Sequence, residues 1–301
     1  MSEWYDANAF FIGLTLISAL LVLSIFITFN AGVFSLGSIG FMAVGGYVSG
    51  IATTKYDLPV QVGIPMGILG AALAGLVVGL LVVRLNGIYM ALVTFAMAQA
   101  IIVAIRGLDI TNGVYGLTGI PMIDGVLPAA LLLVLICVGL EFVHRSYVGR
   151  GLRAVRLDET LARGLGIRYR RYRLVAMVAS GAVAGLAGAL NAHQVSVITP
   201  SGYNFHVLVA ALTFVFVGGI GYWLGPVIAA IVLGFVHETL RSSGVGTDIE
   251  TLIYGVLLIV LMGVAPQGLG DPRLAQFVRR VLRREKSIAP AAERPLEEAR
   301  R

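Results

Sequence analysis

Residues 145–173 read RSYVGRGLRAVRLDETLARGLGIRYRRYR, and the fold turns on what this stretch can be. It holds nine arginines against Asp158 and Glu159, and long apolar runs flank it on both sides. Charge at that density cannot sit in hydrocarbon. Short loops rich in Lys and Arg stay on the side from which the chain was inserted, which makes 145–173 a cytoplasmic loop. From 151 to 166 the spacing is helical: Leu152, Val155, Leu161 and Leu165 interleave with Arg153, Arg156 and Arg163, and the acidic pair falls in mid-helix. A loop that only sets topology needs neither the periodicity nor the acids. An amphipathic helix fixed between spans offers a docking surface to a soluble partner.

Working outward, the remaining chain is apolar. Of 301 residues, 58% are hydrophobic and 13% charged, with a mean hydropathy of +0.91. Soluble domains carry about a quarter of their residues as charges, so the sequence predicts an all-α polytopic membrane protein in contact with lipid. The 22 Lys and Arg are unevenly spread: nine lie in 145–173 and nine in 273–301, leaving Lys55, Arg84, Arg106 and Arg241. The net charge of +6 comes without an aromatic stacking platform, so topology and not nucleic acid accounts for it. Cys137 is the single cysteine and reads as an apolar filler; no disulfide can form within the chain.

A membrane-spanning helix needs about 20 apolar residues. Candidate spans run over 10–28, 36–53, 60–83, 87–105, 126–143, 174–192, 205–220, 226–239 and 252–265. The first follows the acidic Glu3 and Asp6 and lacks a small-residue cleavage site, so it reads as a span and not a removable signal. Nine spans is the working number, with eight to ten compatible with the short runs at 36–53 and 226–239. With 145–173 and the basic tail both cytoplasmic, parity places the N-terminus outside, the C-terminus inside, Arg84 inside, and Lys55 and Arg106 outside. Residues 1–270 then form one transmembrane domain, and 271–301 a cytoplasmic amphipathic segment with a disordered tail. Pairs of glycines four apart (Gly46 and Gly50, Gly63 and Gly67, Gly75 and Gly79, Gly181 and Gly185) predict helices packed at close range.

Several chemistries are excluded. There is no GxxxxGK[ST] phosphate loop, so this chain is not itself an ATPase. No HExxH or cysteine cluster offers a metal site, and no cofactor motif is present. Acidic residues fall in loops, termini or span ends, which disfavours an ion-coupled carrier, although broken helices could still hold sodium through carbonyls. Asn30, Ser35, Thr94, Gln99, Asn191 and Thr213 interrupt the apolar spans, and Asn112 punctuates the outer loop 107–125. Such groups either bond helix to helix or line a weakly polar path for a small solute. His193 reads as a residue of the membrane interface.

The stretch 149–167, GRGLRAVRLDETLARGLGI, resembles the coupling segment of binding-protein-dependent ABC importer permeases, and most closely the M-type permeases of branched-chain amino-acid (Liv) systems. The pattern Gly-Arg-x-Leu-Arg-Ala-Ile-Arg, an acidic pair and Leu-Gly-Ile is met in order by Gly149, Arg150, Leu152, Arg153, Ala154, Arg156, Asp158, Glu159, Leu165, Gly166 and Ile167. The departure is at 160–163, where the family favours alanines. Further blocks are similar at 30–47, where Val33 and Ser38 replace the family's usual Gln and His, and at 84–96, 116–121, 180–200 and 216–233. The resemblance implies a non-enzymatic transport subunit of the bacterial inner membrane that moves branched-chain or other hydrophobic amino acids; relatives carry urea and short amides. It further implies two ABC ATPase subunits, a second permease (H-type or another copy of this chain) and an external substrate-binding protein. Arg150, Arg153, Arg156, Asp158, Glu159 and Gly166 would carry ATPase coupling, with Gly166 ending the helix. The rival readings are an ATP-independent uniporter or channel for small polar solutes, and a membrane scaffold with no solute path.

Overall fold

A backbone crossing hydrocarbon must satisfy its own hydrogen bonds, and long apolar segments do so as helices. The computed structural model describes residues 2–85, 87–123, 126–158, 162, 164–242 and 256. Its long helices are α1 (Ser2–Asn30), α2 (Ser38–Thr54), α3 (Val60–Val82), α4 (Gly87–Gly107) and α5 (Val126–Arg145). A short α6 (Tyr147–Leu157) follows, then α7 (Tyr169–Val195), α8 (Phe205–Gly218) and α9 (Leu224–Ser242). Among the described residues, six helical stretches are long and apolar enough to cross a membrane, which makes this a multi-pass membrane protein. The expected ninth span, 252–265, apart from Val256, and the tail 271–301 lie outside the described residues.

The 17-residue α2 is the shortest of the first five helices and the most enclosed, with Ile39, Phe41, Ala43 and Tyr47 all buried. It packs against α3 and α7, which also pack on each other, and α1 covers α7 from the far side. Glycines make this possible. A Cβ on Gly45 would overlap the backbone of Gly185, one on Gly188 would overlap the Met42 carbonyl, and one on Gly67 would lie 2.6 Å from the Gly45 carbonyl oxygen. On α3, Gly75 meets the Met177 carbonyl in the same way, and Gly181 meets that of Ala71. Three backbones therefore meet with no side chains between them. Of the spaced glycines, Gly50 departs from the expectation: its face meets the side chains of Ile120, in a loop, and Ile198, in a two-residue strand, neither of them helical.

The helices run alternately between two ends. At one end, the turn after α1 touches α6, since a Cβ on Gly32 would lie 3.1 Å from the Arg156 Cα. The α8–α9 turn is at this end too, where Arg156 Nη1 donates to the Ile220 carbonyl at 2.8 Å. At the other end, β1 (Leu117–Thr118) pairs antiparallel with β2 (Val197–Ile198), tying the α4–α5 loop to the segment after α7. Outward faces of α3, α4 and α5 expose Leu69, Leu73, Leu92, Val103, Leu131 and Leu135, a surface suited to lipid or to another apolar helix.

Substituting Gly188→Ala, which forces a methyl onto the Met42 carbonyl, should cost about 1–3 kcal/mol through overpacking. The unfolding midpoint in detergent should fall, whereas Gly139→Ala, at a position with nothing within 4 Å, should leave it unchanged.

Candidate functional site

The α6 end is assembled by local capping. Ser146 has extended backbone and its Oγ accepts from the Gly149 amide at 3.3 Å, which starts a new helix immediately after α5. Gly149 lies against the carbonyls of Val143 and His144, and Gly151 against the Tyr172 ring, so α6 folds back closely on its neighbours. Val155 is buried, while Arg150, Arg156, Leu157 and Asp158 are exposed. Arg153 is used internally: its Nη2 donates to the His144 carbonyl at 3.0 Å and its Nε to the Gly149 carbonyl at 3.3 Å.

The boundaries differ from the periodicity of 151–166. The helix begins four residues earlier, at Tyr147, and ends at Leu157 because Asp158 turns extended (φ −155°, ψ 112°). Asp158 is therefore a C-cap and not a mid-helix residue. The sequence pattern could not locate this break, since the apolar spacing carries on past it. Downstream, beyond the end of α6, Gly166 has φ +76° and the Ile167 amide donates to the Ala162 carbonyl at 3.0 Å, a glycine-ended turn. Glu159 lies outside the described residues.

A second group at this end escaped the sequence reading. Glu141, one turn before the end of α5, accepts from three donors. Its Oε2 takes the Tyr222 hydroxyl at 2.6 Å and the Trp223 indole N–H at 2.9 Å, and its Oε1 takes Arg145. The bond to Glu141 holds the Tyr222 phenol above its ordinary pKa range. An acid near the end of an apolar run and an aromatic pair after a glycine turn were the available signals. Nothing in the sequence said that they meet.

The polar residues proposed for a path are dispersed. Ser35 is buried and its Oγ accepts from the Gly37 amide at 3.2 Å; Thr94, also buried, accepts from the Leu36 amide at 3.0 Å. Asn30 ends α1 beside this turn, so these three share one region near the α6 end. Gln99 is half-buried further along α4, and Asn191 half-buried on α7. Thr213 bonds its own helix through the Val209 carbonyl at 2.8 Å. Asn112 is exposed in the far loop, in left-handed conformation (φ 58°) between two turns. The structure thus gathers Asn30, Ser35 and Thr94, and separates the other four from them.

At the β-ribbon end, His193 is buried, with 1% exposure. Its Nδ1 is 2.9 Å from the Pro121 carbonyl oxygen and its Nε2 is 3.0 Å from Ser49 Oγ. A carbonyl can only accept, so Nδ1 carries the proton and Nε2 accepts from the serine hydroxyl. This neutral bridge pins the loop after β1 to α2 and α7. Replacing His193 by Leu removes the partner of the Pro121 carbonyl and leaves the buried Ser49 hydroxyl unpaired, the latter at about 1–3 kcal/mol. Protease cleavage within 107–123 in detergent should accelerate in His193→Leu, with cleavage elsewhere unchanged.

Comparison with known proteins shows the family. A family model described as the branched-chain amino acid transport system permease component matches residues 8–262. The chain is 30% identical over 274 residues to the high-affinity branched-chain amino acid transport system permease protein LivM of Escherichia coli (strain K12), covering 79% of this chain and 64% of that one. It thus spans just under two thirds of that relative's length. It is 34% identical over 134 residues to the LivH permease protein of Salmonella typhimurium, covering 44% of this chain and 43% of LivH. It is also 25% identical over 223 residues to the autoinducer 2 import system permease protein LsrD of Photorhabdus luminescens, covering 67% and 66%. No solved structure matches.

Proposed function

We propose, from the premise that this chain belongs to the family of branched-chain amino acid transport permease components, that it is a permease subunit of an ABC importer. It moves branched-chain or other hydrophobic amino acids inward across the bacterial inner membrane by alternating access. Its partners are two ABC ATPase subunits, a second permease (H-type or another copy) and an external substrate-binding protein. Hydrolysis of ATP belongs to the ATPase subunits. The N-terminus lies outside and the C-terminus inside, with nine spans, so that the α6 end faces the cytoplasm and the β-ribbon end faces outward.

The observation that carries this reading is the placement of α6. It sits at the same end as the α1–α2 and α8–α9 turns and is held to them through the Gly32 contact and the Arg156 bond to Ile220, with Arg150, Leu157 and Asp158 exposed. A short rigid helix with exposed charge and an exposed leucine suits insertion into a soluble partner. The coupling set is Arg150, Arg156, Asp158, Glu159 and Gly166, with Arg153 serving to hold α6 to α5. The solute path runs past Asn30, Ser35 and Thr94 on its way out of the α6 end, with Gln99, Asn112, Asn191 and Thr213 as its more distant candidates. No observation favours an ATP-independent channel or a scaffold.

The test is co-purification with ATPase subunits encoded in the same genome. The native chain should retain an ATPase, and a chain with 149–167 scrambled should not. Retention by neither form contradicts the docking reading. Glu159→Lys should lower uptake and its coupling to hydrolysis while membrane insertion stays normal; normal uptake at normal expression counts against a role for Glu159.

A further inference from the structure

The α8–α9 turn, residues 219–223, is held by two separate elements at once. It is a tight reversal: Gly219 has φ +85°, and a Cβ on Gly218 would overlap the Pro226 backbone. From α6, Arg156 donates to the Ile220 carbonyl. From α5, Glu141 accepts the Tyr222 hydroxyl and the Trp223 N–H on one oxygen and Arg145 on the other. The His144 ring also stands edge-on to Tyr222, with centroids 5.1 Å apart.

Three features separate this clamp from ordinary packing. Among the described residues, within the six apolar stretches long enough to cross a membrane, Glu141 is the single acidic side chain, and it is 24% exposed. Tyrosine and tryptophan at a membrane boundary usually turn their polar tips to water or headgroups; here both tips turn inward to one carboxylate. Finally, α5 packs mainly on α1 and α6, so Glu141 is what joins it to a turn whose helices pack on α1 and on each other. The residues that make the clamp belong to the elements that α6 must move if it transmits force.

We infer that Glu141 is a positioning residue of the transport cycle: with Tyr222 and Trp223 it passes displacement of α6 to the α8–α9 hairpin. The inference rests on the permease reading above. Arg156 and Glu141 hold different residues of the same turn, so a shift of α6 carries α8 and α9 with it only while both grips hold. Removing the carboxylate charge leaves the α6 surface intact and frees the turn. ATP hydrolysis then continues without the matching movement in the membrane.

The experiment uses the complete complex, co-expressed with its ATPase subunits and binding protein and reconstituted in vesicles. ATP hydrolysis and uptake of radiolabelled leucine, isoleucine and valine are measured in the same preparation. Glu141→Gln and Tyr222→Phe are compared with the native chain; the second removes one hydroxyl and keeps the ring. Glu141→Gln should retain its ATPase and hydrolyse ATP within about two-fold of native, while uptake per ATP falls about ten-fold, within the span of ordinary coupling energies. Tyr222→Phe should give a smaller fall of the same kind. Should Glu141→Gln fail to assemble, Tyr222→Phe decides by the same ratio. An unchanged ratio overturns the inference, whether both activities are normal or both fall together as lost stability would make them. Absence of ATPase from the native preparation instead overturns the permease reading on which it rests.

Discussion

The close approach of α2, α3 and α7 is the constraint on which the rest of the structure depends. Helices in lipid gain nothing from hiding apolar surface, since the solvent is as oily as the side chains. What remains is contact at short range, and Gly45, Gly67, Gly181, Gly185 and Gly188 supply it by removing side chains where backbones cross. This seam lets a 17-residue helix stay enclosed by neighbours on nearly every side. It also fixes which helices can move. Those in the seam are locked by shape, whereas α5 stands at the edge with most of its surface open.

From that seam the two ends take different chemistry. The β-ribbon end is closed by neutral bonds: the His193 bridge, the two-residue strand pair and the Tyr47 hydroxyl donating to the Ile198 carbonyl at 3.4 Å. The α6 end is fastened by charge, through Arg145, Arg153, Arg156 and Glu141. Hydrogen bonds with an ionised partner are stronger and more directional than neutral ones. An end built in this way can carry a push from a partner, and Arg150 and Asp158 are exposed on it.

Much of this was legible in the sequence because the membrane enforces a simple rule of length and apolarity. The runs at 60–83, 87–105 and 126–143 became α3, α4 and α5 with nearly the same limits. The run at 174–192 became the longer α7, because helix continues into Tyr169 and the arginines once it leaves lipid; Arg173 is covered there, its guanidinium 5.2 Å from the Tyr169 ring centre. The charge pattern of 145–173 marked α6 as a separate element, but apolar periodicity could not say that Ser146 starts it or that Asp158 stops it. Those are decisions of single backbone torsions and one capping oxygen. The site was less legible. Thr94 and Ser35 were noticed as polar residues, yet their nearness is a tertiary fact. Glu141, Tyr222 and Trp223 lie about 80 residues apart in sequence, so no local pattern could pair them.

The most direct test of the account is leucine uptake into vesicles containing this chain with its ATPase subunits, partner permease and binding protein, measured with ATP and with a non-hydrolysable analogue. The account predicts accumulation that requires hydrolysable ATP and vanishes when the ATPase subunits are omitted. Uptake by this chain without the ATPase, or no ATP-dependent uptake of any branched-chain amino acid by the complete assembly, would contradict it.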